Sequence, residues 1–180
     1  MARHALTDAA RPAPRSSAVP RGVRLRRTPR PADVAAVRRL AAAVGVFSSA
    51  EQAVAVELIT ARLRHGRASG YHFVFADVRG RPVGYCTWGP IPMTAGSYDL
   101  YWIVVDPAHG GAGVGRALLA EAERDVVRRG GTALYIETSS RAEYARTRRF
   151  YLRAGYARVA RLPDFYAPGD DKVIYRKLVG

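Results

Sequence analysis

Residues 104–116 read VVDPAHGGAGVGR and combine the end of an apolar run with a glycine-rich segment. An apolar, β-prone run over 98–105 ends at Asp106-Pro107, and four glycines follow within six residues. The next residues, to about 129, repeat apolar positions every four residues, which predicts an amphipathic helix. Glycine amides in front of a helix can approach a phosphate without obstruction by side chains. We therefore expect a strand–loop–helix unit that binds phosphate or pyrophosphate, with a plain tight turn as the alternative.

Two common nucleotide-binding patterns do not fit this loop. The dinucleotide pattern G-x-G-x-x-G, started from Gly111 and Gly113, requires a glycine where Arg116 stands. The Walker pattern requires Gly-Lys-Ser/Thr, and no such triplet follows the loop. The loop therefore indicates a phosphate-bearing ligand without indicating either of those folds.

The rest of the chain predicts one domain over residues 22–180, in which strands and helices alternate. Strands are predicted over 23–26, 71–77, 82–88, 98–105, 132–138, 156–162 and 172–178, and helices over 31–43, 50–64, 114–129 and 144–154. The order β-α-α-β-β-β-α-β-α-β-β indicates a mixed α/β or α+β sheet. Residues 164–171, rich in Asp, Pro and Gly, are predicted to form the closing loop.

The chain is strongly basic, with 29 Lys and Arg against 15 Asp and Glu in 180 residues, a net charge of +14. Residues 1–30 hold eight arginines and one aspartate, which is half of that net charge. Residues 1–21 mix Ala, Arg, Pro and Ser without apolar periodicity and are predicted to be a disordered arm. We favour a solubilising tail over a nucleic-acid-binding arm or an organelle transit peptide. A second basic cluster, over 141–161, is either a solvated helix surface or a site of attraction for an anionic ligand.

Composition excludes several other classes of protein. No apolar run approaches the roughly 18 residues that span a bilayer, and no secretory signal is recognisable, so we expect a cytoplasmic protein that does not contact membranes. The single cysteine, Cys86, excludes an internal disulfide and a cysteine-based zinc site, and it is expected to be a small buried hydrophobe. No metal is expected, because ligand spacing is lacking among the four histidines, His4, His65, His72 and His109.

Two motifs resemble those of the GNAT superfamily of N-acetyltransferases. The first is the acyl-CoA loop, R/Q-x-x-G-x-G/A, which Gly113 and Gly115 match while Gly110 stands at the usual Arg/Gln position. The second is N-x-x-A-x-x-F-Y-x-x-x-G-F; residues 147–156 read TRRFYLRAGY and keep its Phe-Tyr and its Gly followed by an aromatic residue. In this motif Tyr144 and Thr147 replace the usual Asn and Ala. The resemblance covers about residues 22–178.

This resemblance implies a fold, a co-substrate and a set of contacts. The fold would be a mixed α+β GNAT-like domain with a central, mostly antiparallel twisted sheet flanked by helices. The co-substrate would be acetyl-CoA, with its pantetheine along residues 103–105 and its pyrophosphate on the glycine loop. The implied cofactor-binding residues are Ile103, Val104, Val105, Gly110, Gly111, Ala112, Gly113, Val114, Gly115 and Arg116. A homodimer is compatible with the resemblance, since dimers are common in the family.

Acetyl transfer from a thioester to an amine requires a base, stabilisation of the oxyanion and a protonated leaving group. Tyr151 matches the family tyrosine beside the thioester sulfur, and a phenol is protonated at neutral pH and can donate to the thiolate. Asp99, a carboxylate within an apolar strand, and Glu137, at the end of the following strand, are equal candidates for the base. Either carboxylate could instead pair with an arginine, and a water relay or a neutral amine would need no base.

The acceptor is expected to be a small-molecule or peptide amine. Tyr166, Asp170 and Asp171 in the closing loop would suit an incoming ammonium group, although an Asp-rich turn explains them equally well. Two rival functions remain at this stage. One is a GNAT-fold acyl-CoA sensor without efficient turnover, which the glycine at 110 favours. The other is a basic nucleic-acid-binding module, for which the sequence offers charge but no docking motif, so we do not expect a nucleic-acid partner.

Overall fold

The computed structural model describes residues 18–180, and its order of strands and helices is the predicted one. The strands are β1 (Val23–Arg26), β2 (His72–Val78), β3 (Arg81–Pro90), β4 (Ser97–Val105), β5 (Ala133–Ser139), β6 (Ala157–Ala167) and β7 (Asp170–Leu178). The helices are α1 (Asp33–Val44), α2 (Ser49–His65), α3 (Val114–Arg128) and α4 (Ala145–Arg153). Single 3-10 turns over Gly66–Ser69, Pro107–His109 and Ala142–Tyr144 join some of these elements.

All seven strands form one sheet in the order β1-β2-β3-β4-β5-β7-β6. The pair β4–β5 is parallel, and the other five pairs are antiparallel. Helix α3 provides the crossover that two adjacent parallel strands require. The mixed α+β fold with a mostly antiparallel central sheet is thereby confirmed.

Helices cover both faces of the sheet, and each face has its own hydrophobic core. On one face α3 and α4 pack against the sheet; on the other, α1 and α2 do. The first core includes Val74, Cys86, Leu118, Ala122, Ile136 and Tyr151. The second includes Val37, Leu40, Ile59, Phe73, Phe75 and Tyr85. Burial of each large apolar side chain contributes on the order of 1.5–3 kcal/mol, so these two layers stabilise the sheet that positions the site.

Close packing of α3 depends on Gly84 of β3. A Cβ at this position would lie 2.8 Å from the carbonyl oxygen of Val104 and 3.2 Å from Cδ1 of Leu118. A side chain would therefore push α3 away from the sheet. Because the glycine loop leads directly into α3, this contact also holds the loop against the end of β4.

Polar side chains fix where the first two helices begin. Ser48 and Glu51 form a reciprocal capping box at the start of α2. Helix α1 begins at Asp33 rather than at the predicted Pro31, because the Asp33 carboxylate accepts the Arg30 N–H at 2.6 Å within a preceding turn. The Asp33 carboxylate also pairs with the guanidinium of Arg26 at 2.8 Å, which ties β1 to α1.

The closing segment differs from its prediction. Residues 164–171 were expected to form a loop, but β6 extends to Ala167, β7 begins at Asp170, and only Pro168-Gly169 form the turn. A register shift between Leu162 and Ala167 absorbs the extra residues, and Asp164 adopts a positive φ of 52° there. The prediction was wrong because a segment rich in Asp, Pro and Gly can form a β-bulge as readily as a loop.

The predicted arm lies mostly on residues 1–17, outside the described residues. Its last part is described: the carbonyl oxygen of Pro20 accepts the Val23 N–H at 3.0 Å. The Cγ atom of Pro20 lies 3.6 Å from the position that a Cβ on Gly113 would take, so the chain enters the fold beside the glycine loop. None of the helices within 18–180 has the length and apolar character needed to cross a membrane.

Candidate active site

The parallel strands β4 and β5 separate and leave a gap between them. Only residues 97–100 pair with residues 133–136. Beyond that point β4 continues along β3, while β5 continues along β7. A β-bulge makes Tyr101 the extra residue of β4 where the strands diverge. The gap therefore lies between residues 101–105 and residues 137–139.

The glycine loop closes the gap at the end of β4. Asp106 caps the turn Pro107–His109 by accepting the Ala108 N–H at 3.0 Å. Gly111 and Gly113 then take left-handed conformations, with φ of 79° and 84°. Such angles are strained for any residue that carries a Cβ. The first N–H groups of α3 have no partner within the helix, so they are available to an anion at this end of the gap.

A guanidinium from α4 lies beside this loop. The Nη2 atom of Arg146 is 3.7 Å from the position that a Cβ on Gly110 would take. Other arginines of the basic cluster are bound elsewhere: Arg148 donates to the carbonyl oxygen of Ser139 at 2.8 Å, and Arg161 pairs with Asp171. Arg146 is exposed and adds positive charge next to the loop amides. The cluster is thus partly structural and partly directed towards the loop.

Tyr151 of α4 belongs to the buried cluster that also contains Ile136 of β5, with Ile103 of β4 packed against it. Its side chain is 4% exposed, and its ring centroid lies 6.1 Å from that of Tyr156 and 5.9 Å from that of Tyr175. Burial raises the pKa of the Tyr151 hydroxyl above its ordinary value. The phenol therefore stays protonated in the neutral pH range and can act as a proton donor beside the gap.

A model of the acetyltransferase (GNAT) domain matches residues 69–158, which are half of the chain and include the gap, the glycine loop and Tyr151. The chain belongs to the GNAT family of acetyltransferases. A GNAT-family protein from Desulfovibrio desulfuricans is 50% identical to it, and the match covers 88% of this chain and 99% of that chain with a TM-score of 0.86. No sequence among the curated proteins matches it.

More distant solved structures share the GNAT fold. An acetyltransferase from Salmonella typhimurium, solved with its cofactor acetyl-CoA, is 20% identical, with a TM-score of 0.69 over 88% of this chain and 95% of that chain. An aminoglycoside 6′-N-acetyltransferase complexed with coenzyme A is 17% identical, with a TM-score of 0.69 over 86% of this chain and 96% of that chain. At these identities the likeness establishes the fold.

In this GNAT domain, the two candidate bases lie near each other on the face covered by α1 and α2. Asp99 stands opposite Tyr135 in the last paired part of β4 and β5. Asp99 is half-buried, and its burial, together with the negative charge of Glu137, raises the pKa of its carboxyl. Glu137 is more exposed and forms an ion pair of 2.6 Å with Lys172. The two carboxylates therefore share one electrostatic environment, with Lys172 as their counter-charge.

The two aspartates of the closing hairpin have partners in the fold. Asp170 accepts a hydrogen bond from Ser139 and pairs with Arg141 at 3.3 Å. The side chain of Asp171 pairs with Arg161 and accepts the Asp164 N–H at 2.9 Å, which holds the β-bulge. This backbone N–H first, and then Arg161, lower the pKa of Asp171. Binding of substrate by these carboxylates stays a prediction, and their contacts in the structure stabilise the hairpin.

Tyr166, the third expected acceptor contact, has a different environment. Its side chain is exposed, and the negative charge of Glu137 adds to burial in raising the pKa of its hydroxyl. The Tyr166 hydroxyl is therefore within electrostatic range of Glu137. Of the three predicted acceptor contacts, Tyr166 alone combines exposure with proximity to a candidate base.

The predicted cofactor-binding residues divide into backbone and side-chain contributors. Val104 and Val114 are almost completely buried, so only their backbone groups can reach a ligand. Residues 110–113 are exposed, and Arg116 is half-exposed at the start of α3. Burial of Cys86 is confirmed, with no exposed surface and a pKa raised by that burial, which suits an inert thiol.

Sequence reasoning missed two site residues, Arg146 and Lys172. Arg146 was considered only as one member of the basic cluster over 141–161, with both interpretations of that cluster left open, and Lys172 was considered only as the start of a strand. A stricter reading of helix geometry could have found Arg146, because it lies four and five residues before Phe150 and Tyr151, on the turn of α4 nearest the loop. Lys172 had no such signal, since its contact with Glu137 depends on the β5–β7 pairing. Within 18–180, no group of three or more His, Cys, Asp or Glu side chains is arranged to hold a metal ion.

Proposed function

We propose that this protein transfers the acetyl group of acetyl-CoA to a primary amine by direct attack of the amine on the thioester carbonyl carbon. The observation that carries the proposal is the gap between β4 and β5, which ends at the glycine loop and has the buried Tyr151 beside it. Membership of the GNAT family supports acetyl transfer in general. The acceptor class and the roles of individual residues are our inference.

The residues around the gap fit acetyl-CoA. The left-handed glycines keep side chains away from the loop, and the N–H groups at the start of α3, with Arg146 and Arg116, are suitable donors for pyrophosphate oxygens. The backbone of residues 103–105, which has no β5 partner, can hydrogen-bond the pantetheine amides and polarise the thioester carbonyl. A Cβ on Gly115 would meet Val105 and Phe150 at 3.6–3.8 Å, so the loop also packs firmly between β4 and α4.

Two side chains beside the gap, Asp99 and Tyr151, would transfer the protons of the reaction. Asp99 accepts a proton from the attacking ammonium group, because its raised pKa makes it a stronger base than an ordinary carboxylate. The amine nitrogen then bonds to the carbonyl carbon, and the carbon–sulfur bond breaks. The nitrogen releases its second proton to solvent as the amide forms, while Tyr151 donates its proton to the departing thiolate and regains one from solvent. The products are an N-acetylated amine and the free thiol of coenzyme A.

We prefer Asp99 to Glu137 as the base. The Glu137 carboxylate is held in an ion pair with Lys172, so its oxygens are less free to approach an incoming amine. Asp99 has no ion pair within residues 18–180, and it lies where the two strands begin to separate. Glu137 would then favour binding of the cationic acceptor and raise the basicity of Asp99.

A two-stage experiment tests the proposal. In the first stage, thermal unfolding is measured with acetyl-CoA and, separately, with duplex DNA. Acetyl-CoA is expected to raise Tm by several degrees at saturating concentration, whereas DNA is not. No shift with any acyl-CoA contradicts the proposal, and a shift with DNA alone supports the nucleic-acid alternative.

In the second stage, release of the coenzyme A thiol is followed over a panel of small amines, amino acids, polyamines and peptides with free N-termini. Amine-dependent release is expected for at least one class of acceptor. Binding of acetyl-CoA without amine-dependent release would instead identify a sensor. The expected cytoplasmic location stays a prediction that these assays do not address, and they do not address the homodimer that the family resemblance allows.

A further inference from the structure

A second candidate ligand site lies at the opposite end of α3 from the glycine loop. There the ends of α2 and α3, the start of β2 and the end of β3 enclose a cavity of about 440 Å³. We name it the arginine cavity after five of its lining residues, Arg27, Arg62, Arg67, Arg128 and Arg129. Helix α3 has 15 residues and so spans about 22 Å, which places the arginine cavity far from the proposed acetyl-CoA site.

The positive charge of the arginine cavity is only partly balanced. Its one acidic lining residue, Asp125, pairs with Arg128 at 3.1 Å and with Arg129 at 2.6 Å. The neighbouring Glu121 pairs with Arg27 and with Arg128. The two carboxylates together balance the formal charge of two of the five arginines. The arginine cavity therefore keeps a surplus of positive charge.

Arg62 and Arg67 account for two of the three surplus charges, because neither has an acidic partner among the residues that the structure describes. The Nη1 atom of Arg62 is buried and finds no hydrogen-bond acceptor within residues 18–180. Burial lowers the pKa of Arg62, and the charges of Arg67 and Arg129 add to this effect. A partly buried guanidinium that faces like charges, with one buried nitrogen lacking an acceptor, is destabilising unless an anion joins it.

Two further groups favour an anion in the arginine cavity. The indole Nε1 of Trp88 is a buried donor without an acceptor within the described chain. His72 also lines the arginine cavity; burial first, and then the charge of Arg129, lowers its pKa to about 4. His72 is therefore neutral at physiological pH and adds no charge of its own. The unpaired buried groups of the arginine cavity are all hydrogen-bond donors, so a ligand there must supply acceptor atoms.

We propose that the arginine cavity binds a small anion with two or more negative charges, of the phosphate or diphosphate class, at the same time as acetyl-CoA occupies the glycine loop. Guanidinium groups bind phosphate oxygens through paired hydrogen bonds, and the volume admits a phosphate or diphosphate group. A nucleic-acid backbone would remain at the surface, out of reach of the buried Arg62 Nη1 and Trp88 Nε1. The small anion is therefore the occupant that satisfies the buried donors.

Isothermal titration calorimetry with inorganic phosphate and inorganic pyrophosphate tests this site. Acetyl-CoA is present at a small excess over the protein, so that the glycine loop is filled. We expect one pyrophosphate to bind per chain. Arg62→Gln and Arg67→Gln are each expected to weaken binding by roughly tenfold or more, because each removes a charged hydrogen-bond donor.

The matched control is Arg64→Gln, which makes the same charge change two residues from Arg62 on α2 but outside the arginine cavity. Its affinity for pyrophosphate is expected to stay within about twofold of the unaltered protein. Folding of Arg62→Gln is checked by its Tm without added anion, which should be unchanged or higher, since a repelled buried charge has been removed.

Several results would overturn the proposal. One is the absence of binding by both phosphate and pyrophosphate. Another is pyrophosphate binding that acetyl-CoA abolishes, since this would place the anion on the glycine loop. Equal weakening in Arg62→Gln and Arg64→Gln would show non-specific attraction. Binding of duplex DNA without binding of pyrophosphate would identify a nucleic-acid surface instead.

Discussion

The proposed role of Tyr151 as proton donor to the leaving thiolate predicts a loss of rate when its hydroxyl is removed. In Tyr151→Phe we expect kcat to fall by about 100-fold, the lower range for loss of a general acid. The KM for acetyl-CoA should change by no more than about twofold, because the ring and its packing remain. Steady-state kinetics with thiol detection measures both constants.

Tyr156→Phe is the matched control for this prediction. The Tyr156 ring contacts that of Tyr151, but its hydroxyl donates to Glu123 at 3.0 Å, away from the gap. Loss of that hydrogen bond should lower stability by about 1 kcal/mol and leave kcat nearly unchanged. Equal kcat in Tyr151→Phe and the unaltered protein would remove Tyr151 from the acid role.

The pH dependence of kcat/KM tests which carboxylate is the base. Asp99 must be ionised to accept a proton, so kcat/KM should rise with pH through its raised pKa. In Asp99→Asn we expect kcat/KM to lose this rise with pH and to fall by about 100-fold. Glu137→Gln removes a negative charge and frees Lys172, so the pKa of Asp99 falls and the rise moves to lower pH.

The two variants exchange roles if the assignment is reversed. A large loss of rate in Glu137→Gln, with a pH profile retained in Asp99→Asn, would make Glu137 the base. Unaltered profiles in both would indicate a water relay or a neutral amine. Such a result would leave the proposed acceptor class intact and change only the route of the proton.

Among the elements, the glycine loop can be tested with substitutions that separate the cost of backbone strain from the loss of contacts with acetyl-CoA. Gly113 has a φ of 84°, and Gly80, in the β2–β3 turn, has a φ of 79° with no atom near an added Cβ. An alanine at either position should cost about 1–2 kcal/mol through left-handed strain. Thermal unfolding should therefore show similar losses for Gly113→Ala and Gly80→Ala.

Acetyl-CoA binding should distinguish these two variants. We expect Gly113→Ala to raise the KM for acetyl-CoA by about tenfold, because the loop amides lose their alignment. Gly80→Ala should leave this KM unchanged, as it lies in a distant turn. Equal KM values in the two variants would show that the loop geometry at Gly113 is not needed for the ligand.

The elements also show how far the sequence leads. Apart from the end of β6, every strand and helix was predictable within two residues at each end, because their apolar periodicities and breakers are local properties. The hairpin over 164–171 was not, since its bulge depends on the Asp171 carboxylate meeting the Asp164 N–H across two strands. The gap was not predictable from periodicity either: it requires two parallel strands to separate after Leu100, and only the family motifs pointed to it.

The charge of the whole molecule has a different distribution from the one its sequence suggested. Residues 1–17 hold three arginines and one aspartate, so twelve of the fourteen net positive charges belong to residues 18–180. Two arginines of the first thirty are structural: Arg26 pairs with Asp33 and Asp77, and Arg27 pairs with Glu121. In the sequence these charges belong to the start of the chain. Their ion pairs could not be predicted, because the acidic partners become neighbours only in the folded protein.

The basicity of the folded part should therefore govern attraction of acetyl-CoA, with Arg146 as a main contributor. Gly110 lacks the side chain that the family usually places there, and the Arg146 guanidinium lies 3.7 Å from where that side chain would begin. Arg146→Gln should raise the KM for acetyl-CoA by about tenfold and weaken the rise of this KM with salt. Kinetics at several ionic strengths measures both effects.

Arg149→Gln makes the same charge change on the same exposed helix surface, so non-specific attraction would affect it equally. We expect its KM to stay within about twofold of the unaltered protein. Deletion of residues 2–17 removes only two net charges and should leave the salt dependence unchanged. A deletion that flattens the salt dependence would assign the attraction to the start of the chain. A normal KM in Arg146→Gln would mean that backbone amides alone bind the pyrophosphate.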